Sequence, residues 1–468
     1  MLSNLKALKP YFGFFNQAIN KGRILEIMER IHLPEETHEP QAHMLSSLEG
    51  KSVRLHGAVH QIRMMSGFAF VILRTRRDIV QCVYTEGETT GDFKSLAEGS
   101  SVFVDGVVFC DPRVINGAEI RLSHFDILSL PYDAVPVRIN RKQLDVPLDT
   151  QLTYRPITLR NQKERAVFKI QEGIARGFRE YLQEQQFTEI RTPKIVFAGA
   201  EGGANIFKLD YFGKQVYLAQ SPQFYKQTMV GVYERVFEIG PVYRAEKHDT
   251  SRHLNEYISM DLEMGFIESF QDIMRTEAGA LRYIFDLLSR DYGPELALHG
   301  VTLPVVEAIP SIKFMKAKEI IEKIYKRPIK DYHDFEPEEE QLIGDYAKKE
   351  WGSEFVFITH YPSEKRPFYA MDDPEDPGFT LSFDLLFNGL EVTTGGQRIH
   401  DYKEQVEKML KRGMDPAHFE SYLMIHKHGM PPHGGLGAGL ERLTMKLLGF
   451  SNVRQAALFP RDTHRVTP

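Results

Sequence analysis

The sequence has two cysteines, Cys82 and Cys110, in 468 residues. Two are too few for a zinc cluster or a disulfide framework, and in a reducing compartment they read as buried thiols. Long apolar runs are missing as well: none reaches the roughly 18 residues of a membrane-spanning helix. The N-terminus lacks the basic, apolar and small-residue succession of a secretion signal, so a cytoplasmic location is expected, with neither a membrane nor DNA as a partner. Positive charge is not in excess either, with 58 Lys and Arg against 64 Asp and Glu and a net charge of −6. A polyanion would have to be met by a local patch and not by the chain as a whole. What is present is ordinary, 42% hydrophobic and 26% charged residues, in a length that suits two domains.

The local patch lies early. From Lys51 to Leu130 the chain runs in short alternating stretches, Val53–Ile62, Phe68–Leu73, Ile79–Tyr84, Val102–Val108 and Ala118–Leu122, with glycine at the bends. Five such strands suggest a small barrel, best matched by the OB-fold. Between Lys51 and Gln81 six basic residues (Lys51, Arg54, Arg63, Arg74, Arg76 and Arg77) face a single acid, Asp78. A basic strand face carrying Phe70 and the amide of Gln81 suits single-stranded nucleotides, which stack on aromatics and are read along their edges. Taken alone, Phe70 is better explained by a place in the core.

Before the patch, apolar residues at Leu5, Leu8, Phe12, Phe15, Ile19, Ile24, Ile27, Met28 and Ile31 have helical spacing, and polar residues 34–43 read as a linker. After it, the prolines at 131, 136 and 147 mark a hinge. A helix follows with apolar positions at Val167, Ile170, Ile174, Phe178, Tyr181 and Leu182, then a strand over Phe187–Ile195 whose Pro193 argues for an edge or a bulge. Residues 267–350 read as a mainly helical insertion without visible chemistry. Strands return at Phe355–Thr359, Pro367–Met371, Ser382–Phe387 and Leu390–Val392, the last two joined by the hairpin signal Asn388-Gly389. Gly434–Gly439 reads as a glycine-rich turn opening a helix, by itself a weak phosphate signal.

The richest stretch is Arg244–Asp261, R-A-E-K-H-D-T-S-R-H-L-N-E-Y-I-S-M-D. Flanking strands at Arg235–Arg244 and Tyr257–Gly265 make it a hairpin, with Tyr257, Ser259, Asp261 and Glu263 on one face of the second strand. A connection of about a dozen charged and hydroxylated residues is long for a structural hairpin. Arg244 offers a planar fork to a phosphate, Glu246 can accept from an exocyclic amine, Arg252 and His253 can clamp distal phosphates, and Tyr257 can stack on a base.

This stretch resembles motif 2 of the class II aminoacyl-tRNA synthetases, and its R-A-E, S-R-H-L-N-E and D-x-E-M elements resemble the aspartyl branch. The helix and strand before it resemble motif 1, Gly434–Leu448 resembles motif 3, and Leu458–Asp462 (L-F-P-R-D) matches the family's close, so the resemblance spans about residues 50–468. It implies an α+β architecture: an N-terminal helical extension (1–48), an OB-fold anticodon-binding domain (49–130), a hinge (131–154) and a class II catalytic domain (155–468) with its sheet antiparallel and flanked by helices. It also implies ATP and Mg2+ as cofactors, a homodimer formed through motif 1, and anticodon contacts at His60, Arg63, Phe70, Gln81 and Glu119. ATP would meet Arg244, Glu246, Arg252, His253, Tyr257, Glu391, Gly439 and Arg442. The metal would meet Glu391 and Thr394, where aspartyl enzymes usually carry serine in place of the threonine. Aspartate would meet Glu201, Gln223, Lys226, Asp261, Thr394 and Arg398, and catalysis would fall to Arg244, Arg398 and Arg442.

An aspartate side chain entering a dry pocket needs cations, and Arg398 and Lys226 supply two; asparagine would strand them, a discrimination worth about 10⁴ or more. Lys226 with Asp261 favours aspartate over asparagine within the family. The two rivals are an asparaginyl-tRNA synthetase and a paralogue making asparagine from aspartate and ammonia. His60, found in relatives with relaxed anticodon reading, points to charging of tRNA-Asn as well as tRNA-Asp, with an amidotransferase partner downstream; a surface histidine on a barrel strand explains it equally well. Ile115 and Ala58 depart from the family pattern there.

Overall fold

The structure is a computed structural model that describes residues 42–468 except 77, 198 and 200–204. The expected N-terminal helices and Glu201 lie outside the described residues. The chain parts after Val135 into two compact units.

In the first, β1 (Ser52–Met64), β2 (Phe68–Arg74), β3 (Ile79–Thr85), β4 (Ser101–Cys110) and β5 (Ala118–Ser129) close into a barrel in the order β1-β2-β3-β5-β4. Alternation puts Leu55, Val59, Val71, Leu73, Val80, Val104 and Ile120 inside, and Leu45 from a 3-10 turn joins them. Cys82 is a buried thiol as expected, pushed up to about 12 by burial. Cys110 is not: it sits half-buried at the end of β4, where its thiol reaches the Ser46 carbonyl at 3.3 Å. The β1–β2 ladder slips between Val59 and Gln61, making His60 the extra residue of a bulge.

The second unit is built on an eight-stranded sheet in the order β12-β13-β14-β15-β16-β11-β10-β6. Its strands are β6 (Thr188–Glu189), β10 (Arg235–Tyr243), β11 (Glu256–Gly265), β12 (Ser311–Lys313), β13 (Phe355–Thr359), β14 (Ser382–Phe387), β15 (Leu390–Arg398) and β16 (His433–Gly439); β7 (Ile195–Val196), β8 (Lys208–Tyr211) and β9 (Lys214–Leu218) form a separate small sheet. Neighbours pair antiparallel except at the two edges, where β6 and β12 run parallel to theirs. Asn388 and Gly389 both take positive φ in the β14–β15 turn, as a two-residue hairpin of that sequence requires.

One face of the sheet packs on helices α1 (Gln162–Glu184) and α3 (Gln271–Asp291), α2 (Gln223–Tyr233) lying between them in sequence; Ile170, Ile174, Ile284 and Leu288 meet Phe237, Leu262, Phe383 and Leu436. Gly173 permits the approach of α3, since a Cβ there would lie 2.5 Å from Leu288. Thus α3, read from sequence as part of an insertion, belongs to the main core, and β12 extends the sheet itself. What stands apart is a satellite cluster under α4 (Phe314–Ile324) and α5 (Pro337–Trp351), centred on Phe314, Ile321 and Ile343.

Two other expectations fail for definable reasons. Pro367–Met371 is a turn and not a strand: Pro367 has no N–H for a ladder, and its carbonyl accepts from Ala370 at 3.0 Å. Gly434–Gly439 is not a turn but the body of β16, paired on both sides, and opens α6 (Leu440–Leu447) from Gly439. The glycines there make room for side chains, since a Cβ on Gly435 would lie 2.1 Å from the Glu263 carboxylate.

Candidate active site

The face of the sheet away from α1 and α3 carries a cleft of about 650 Å3. Period-two alternation along β11 aims Ser259, Asp261 and Glu263 the same way, and the register sets Asp261 beside Gly437 and Glu263 beside Gly435. With no side chains on β16 at those positions, longer groups from elsewhere reach in. Lys226 of α2 donates to Asp261 Oδ1 and to the Leu436 carbonyl, both at 2.8 Å, and lies 3.4 Å from Glu263. Arg398, ending β15, donates Nε to Glu263 Oε1 at 2.9 Å and Nη2 to the Gly435 carbonyl at 3.0 Å.

All four ionic groups are buried, none more than 6% exposed. Burial alone would raise the Glu263 carboxyl, but Arg398 and Lys226 outweigh it and hold it below the usual range. Burial pushes His433, behind them, down to about 4. Neutral, it donates from Nδ1 to the Pro431 carbonyl and accepts from the Gln227 amide, so it adds no charge beside Arg398. Gln223 Nε2 and Asp261 Oδ2 are buried with no hydrogen-bond partner in the protein. Such atoms are costly unless a ligand completes them.

The other end of the cleft is cationic. Arg244 lies with its guanidinium 5.9 Å from the Tyr257 ring and 3.9 Å from Glu246, and His253 lies 3.7 Å from the other oxygen of that carboxylate. Arg442 of α6 donates to the Glu391 carbonyl at 3.1 Å and faces its carboxylate at 3.5 Å. Burial would raise Glu391, but Arg442, Arg366 and Arg244 hold it low; the Thr394 hydroxyl donates to it at 3.1 Å. The long loop of residues 244–256 is held open: the Asn255 amide donates to the carbonyls of Arg244 and Glu246, while Arg454 donates to the Thr250 carbonyl and pairs with Asp249 and Asp462.

Three charged groups at or behind the cleft wall escaped the sequence reading. Asp384 of β14 stands opposite Thr394 of β15, ion-paired to Arg366 at 2.8 Å; burial lifts its carboxyl to about 6, with Arg366 opposing and Glu391 adding. Arg366 lies over the Tyr361 ring at 3.9 Å. Glu340 of α5 pairs with Arg252 and accepts from the Glu391 amide at 3.3 Å; burial and Glu391 press its carboxyl up towards about 7, and Arg252 opposes them. The segment 267–350 therefore does reach the site. A lone acid in the apolar run Ser382–Phe387 was the available signal for Asp384. Nothing local marks Glu340.

For a metal, Asp384, Glu391 and Thr394 make an oxygen-only donor set at the cleft wall, which suits Mg2+, an ion that keeps several waters. No group of three or more His, Cys, Asp or Glu set to hold a metal occurs among the described residues, so phosphate and water would complete the shell. Gly439 lines the cleft at the start of α6.

On the barrel, register puts Arg63 beside Phe70, Ile72 beside Gln81, and Gln81 beside Glu119, all on the outer face. Gln81 donates to Glu119 at 2.8 Å, Arg63 to Gln61 at 3.0 Å, and Phe70 meets Phe68 edge-on at 5.4 Å. His60 is 7% exposed. The reading of it as a surface histidine on a strand therefore fails, because the bulge turns it into the structure.

Residues 147–463 match the family model of class II tRNA synthetases (D, K and N), and residues 53–130 that of an OB-fold nucleic-acid-binding domain. The chain is 47% identical over 420 residues to an aspartate–tRNA(Asp/Asn) ligase of Thermus thermophilus, covering 90% of this chain and 97% of the relative. It is 38% identical, with the same coverage, to an aspartate–tRNA(Asp) ligase of Pyrococcus furiosus. Among solved structures, asparaginyl-tRNA synthetase of Pyrococcus horikoshii complexed with asparaginyl-adenylate superposes with a TM-score of 0.83 at 30% identity, over 90% of this chain and 97% of that one. Aspartyl-tRNA synthetase of Entamoeba histolytica gives 0.80 at 28%, over 92% of each.

Proposed function

Because the chain belongs to the class II aminoacyl-tRNA synthetases of the aspartyl, asparaginyl and lysyl group, we propose from its cleft that it joins L-aspartate to tRNA through an aspartyl-adenylate. The observation that carries the choice of amino acid is the buried set Lys226, Asp261, Glu263 and Arg398. Its two cations are already balanced by two carboxylates, yet Arg398 and Lys226 both line the cleft, where a third carboxylate, the substrate's side chain, can share them. Gln223 and Asp261 offer their open atoms to the substrate's polar groups, with Thr394 nearby.

The aspartate α-carboxylate attacks the α-phosphorus of ATP, and the bond to the pyrophosphate oxygen breaks. Arg244 holds the α-phosphate, Arg252, His253 and Arg442 the distal charge, and Glu246 with Tyr257 the base. Mg2+, bound at Glu391 and Thr394 with Asp384, would neutralise phosphate charge. A terminal ribose hydroxyl of tRNA then attacks the adenylate carbonyl and AMP leaves. Positioning and charge do this work, without a protein nucleophile.

Residues 49–130 take the anticodon on Phe70, Arg63, Gln81 and Glu119, residues 131–154 link, and residues 155–468 perform the chemistry. His60, beneath that face, and three relatives named for both tRNAs at 44–47% identity support charging of tRNA-Asn too, which requires a later amidation by a partner. A homodimer accords with the edge strand β6 and the exposed Ile195, Phe197 and Phe212. The cytoplasmic assignment rests on composition, and no described helix is long and apolar enough to cross a membrane.

The test is charging of tRNA-Asp and tRNA-Asn transcripts with labelled aspartate, asparagine serving as control. Aspartate on both tRNAs is the expected result. Aspartate on tRNA-Asp alone removes the relaxed reading, and asparagine as the amino acid used overturns the assignment.

A further inference from the structure

Glu340 lies in the segment between motifs 2 and 3, distant in sequence from the groups assigned to ATP and metal, and it does not itself line the cleft. It nevertheless joins two walls of the phosphate end. Its Oε2 pairs with the guanidinium of Arg252, on the motif 2 loop, and accepts from the backbone amide of Glu391, on β15. Arg252 does line the cleft.

The helix that presents Glu340 is fixed closely enough to aim it. One turn on, Gly344 rests on the β14–β15 turn: a Cβ on Gly344 would lie 2.5 Å from the Gly389 nitrogen, and one on Gly389 2.7 Å from the Gln341 Cα. Residues four apart share a helix face, so the face that touches the turn before Glu391 is the face that carries Glu340. The start of α5 is held too, by a capping box between Glu336 and Glu339 and by Lys318, buried beneath it, whose ammonium bonds Glu339 at 2.7 Å. An arginine side chain on a long loop has many rotamers to lose, and a fixed carboxylate removes that cost before the phosphate arrives.

We propose that Glu340 is a positioning residue for ATP: it holds Arg252 with its guanidinium turned to the cleft, ready for the distal phosphates, and locks that arrangement to the backbone of Glu391. This rests on reading the cleft as an ATP site. The carboxylate acts through Arg252 and touches no reacting atom.

The experiment measures ATP dependence of aspartate-dependent pyrophosphate exchange in the full-length wild type, R252A, E340A, E340Q and the R252A/E340A double variant. E340A should raise the KM for ATP roughly tenfold, the size of one charge-assisted hydrogen bond, without moving the KM for aspartate. E340Q, which keeps an acceptor for both partners and preserves the helix, should fall between. In the R252A background the second substitution should add nothing. An unchanged or lowered KM for ATP in E340A, or full addition in the double variant, overturns the proposal. If R252A alone leaves the KM for ATP unmoved, the ATP reading of this loop fails and the proposal falls with it; if R252A raises it and E340A does not, only the proposal fails.

Discussion

The barrel face and the cleft of the sheet treat polar groups in opposite ways. On the barrel, Arg63 and Phe70 are open to solvent in whole or part, and each leans on one neighbour of its own kind of chemistry, Gln61 and Phe68. In the cleft, Lys226, Asp261, Glu263 and Arg398 are buried and interlocked, so that Lys226 and Arg398 share one carboxylate. A solvated contact that is lost is replaced by water, whereas a buried charge that loses its partner keeps the whole desolvation cost. On this contrast, a substitution in the buried cluster should cost more than one at Arg63 or Phe70.

The comparison breaks first at Arg398. Arg398→Leu should lower aspartate-dependent pyrophosphate exchange by about 10⁴-fold or more while ATP binding, followed by equilibrium dialysis, persists. Retained exchange would show that the steepness lies elsewhere. On the barrel, Phe70→Ala should raise the KM for tRNA roughly ten- to a hundredfold, about 1–3 kcal/mol of base stacking, and leave pyrophosphate exchange untouched. An effect as large as that of Arg398→Leu would erase the contrast.

The smallest effect concerns stability. Burial lifts Glu277, on α3 in the catalytic unit, from 4.5 to about 8, the Thr393 hydroxyl opposing. The folded state then holds a proton that the unfolded state releases near its ordinary pKa, so the contribution of Glu277 to stability is full below about 4.5 and is lost as pH rises towards 8. Melts of wild type and Glu277→Gln between pH 5 and 8 should show a shallower decline in the variant. Parallel declines would place the proton elsewhere.

The hairpin around Arg244 was legible because its residues work within one short run, and the barrel because period two holds over most of its strands. Arg398, Lys226 and Asp261, distant in sequence, were brought together by family resemblance and then by the sheet. Glycine misled: a run of it looks the same whether a phosphate or the Glu263 carboxylate needs the space. Arg366 and Glu340 were illegible because each meets its partner only through tertiary packing, a loop brought to β14 and a helix laid across a turn, while Asp384 left only the trace of one acid in an apolar run. The surface reading of His60 failed because a bulge, set by one extra residue in a ladder, leaves no mark in composition.

The order of strands has a consequence for how the protein is made. β16 lies between β11 and β15 and is hydrogen-bonded to both, yet it follows them in the chain. A ribosome delivering residues in order exposes the edges of β11 and β15 before the strand that joins them. The bonds by which Lys226 and Arg398 reach the carbonyls of Leu436 and Gly435 cannot form before that strand emerges, so the buried charge cluster closes late in synthesis.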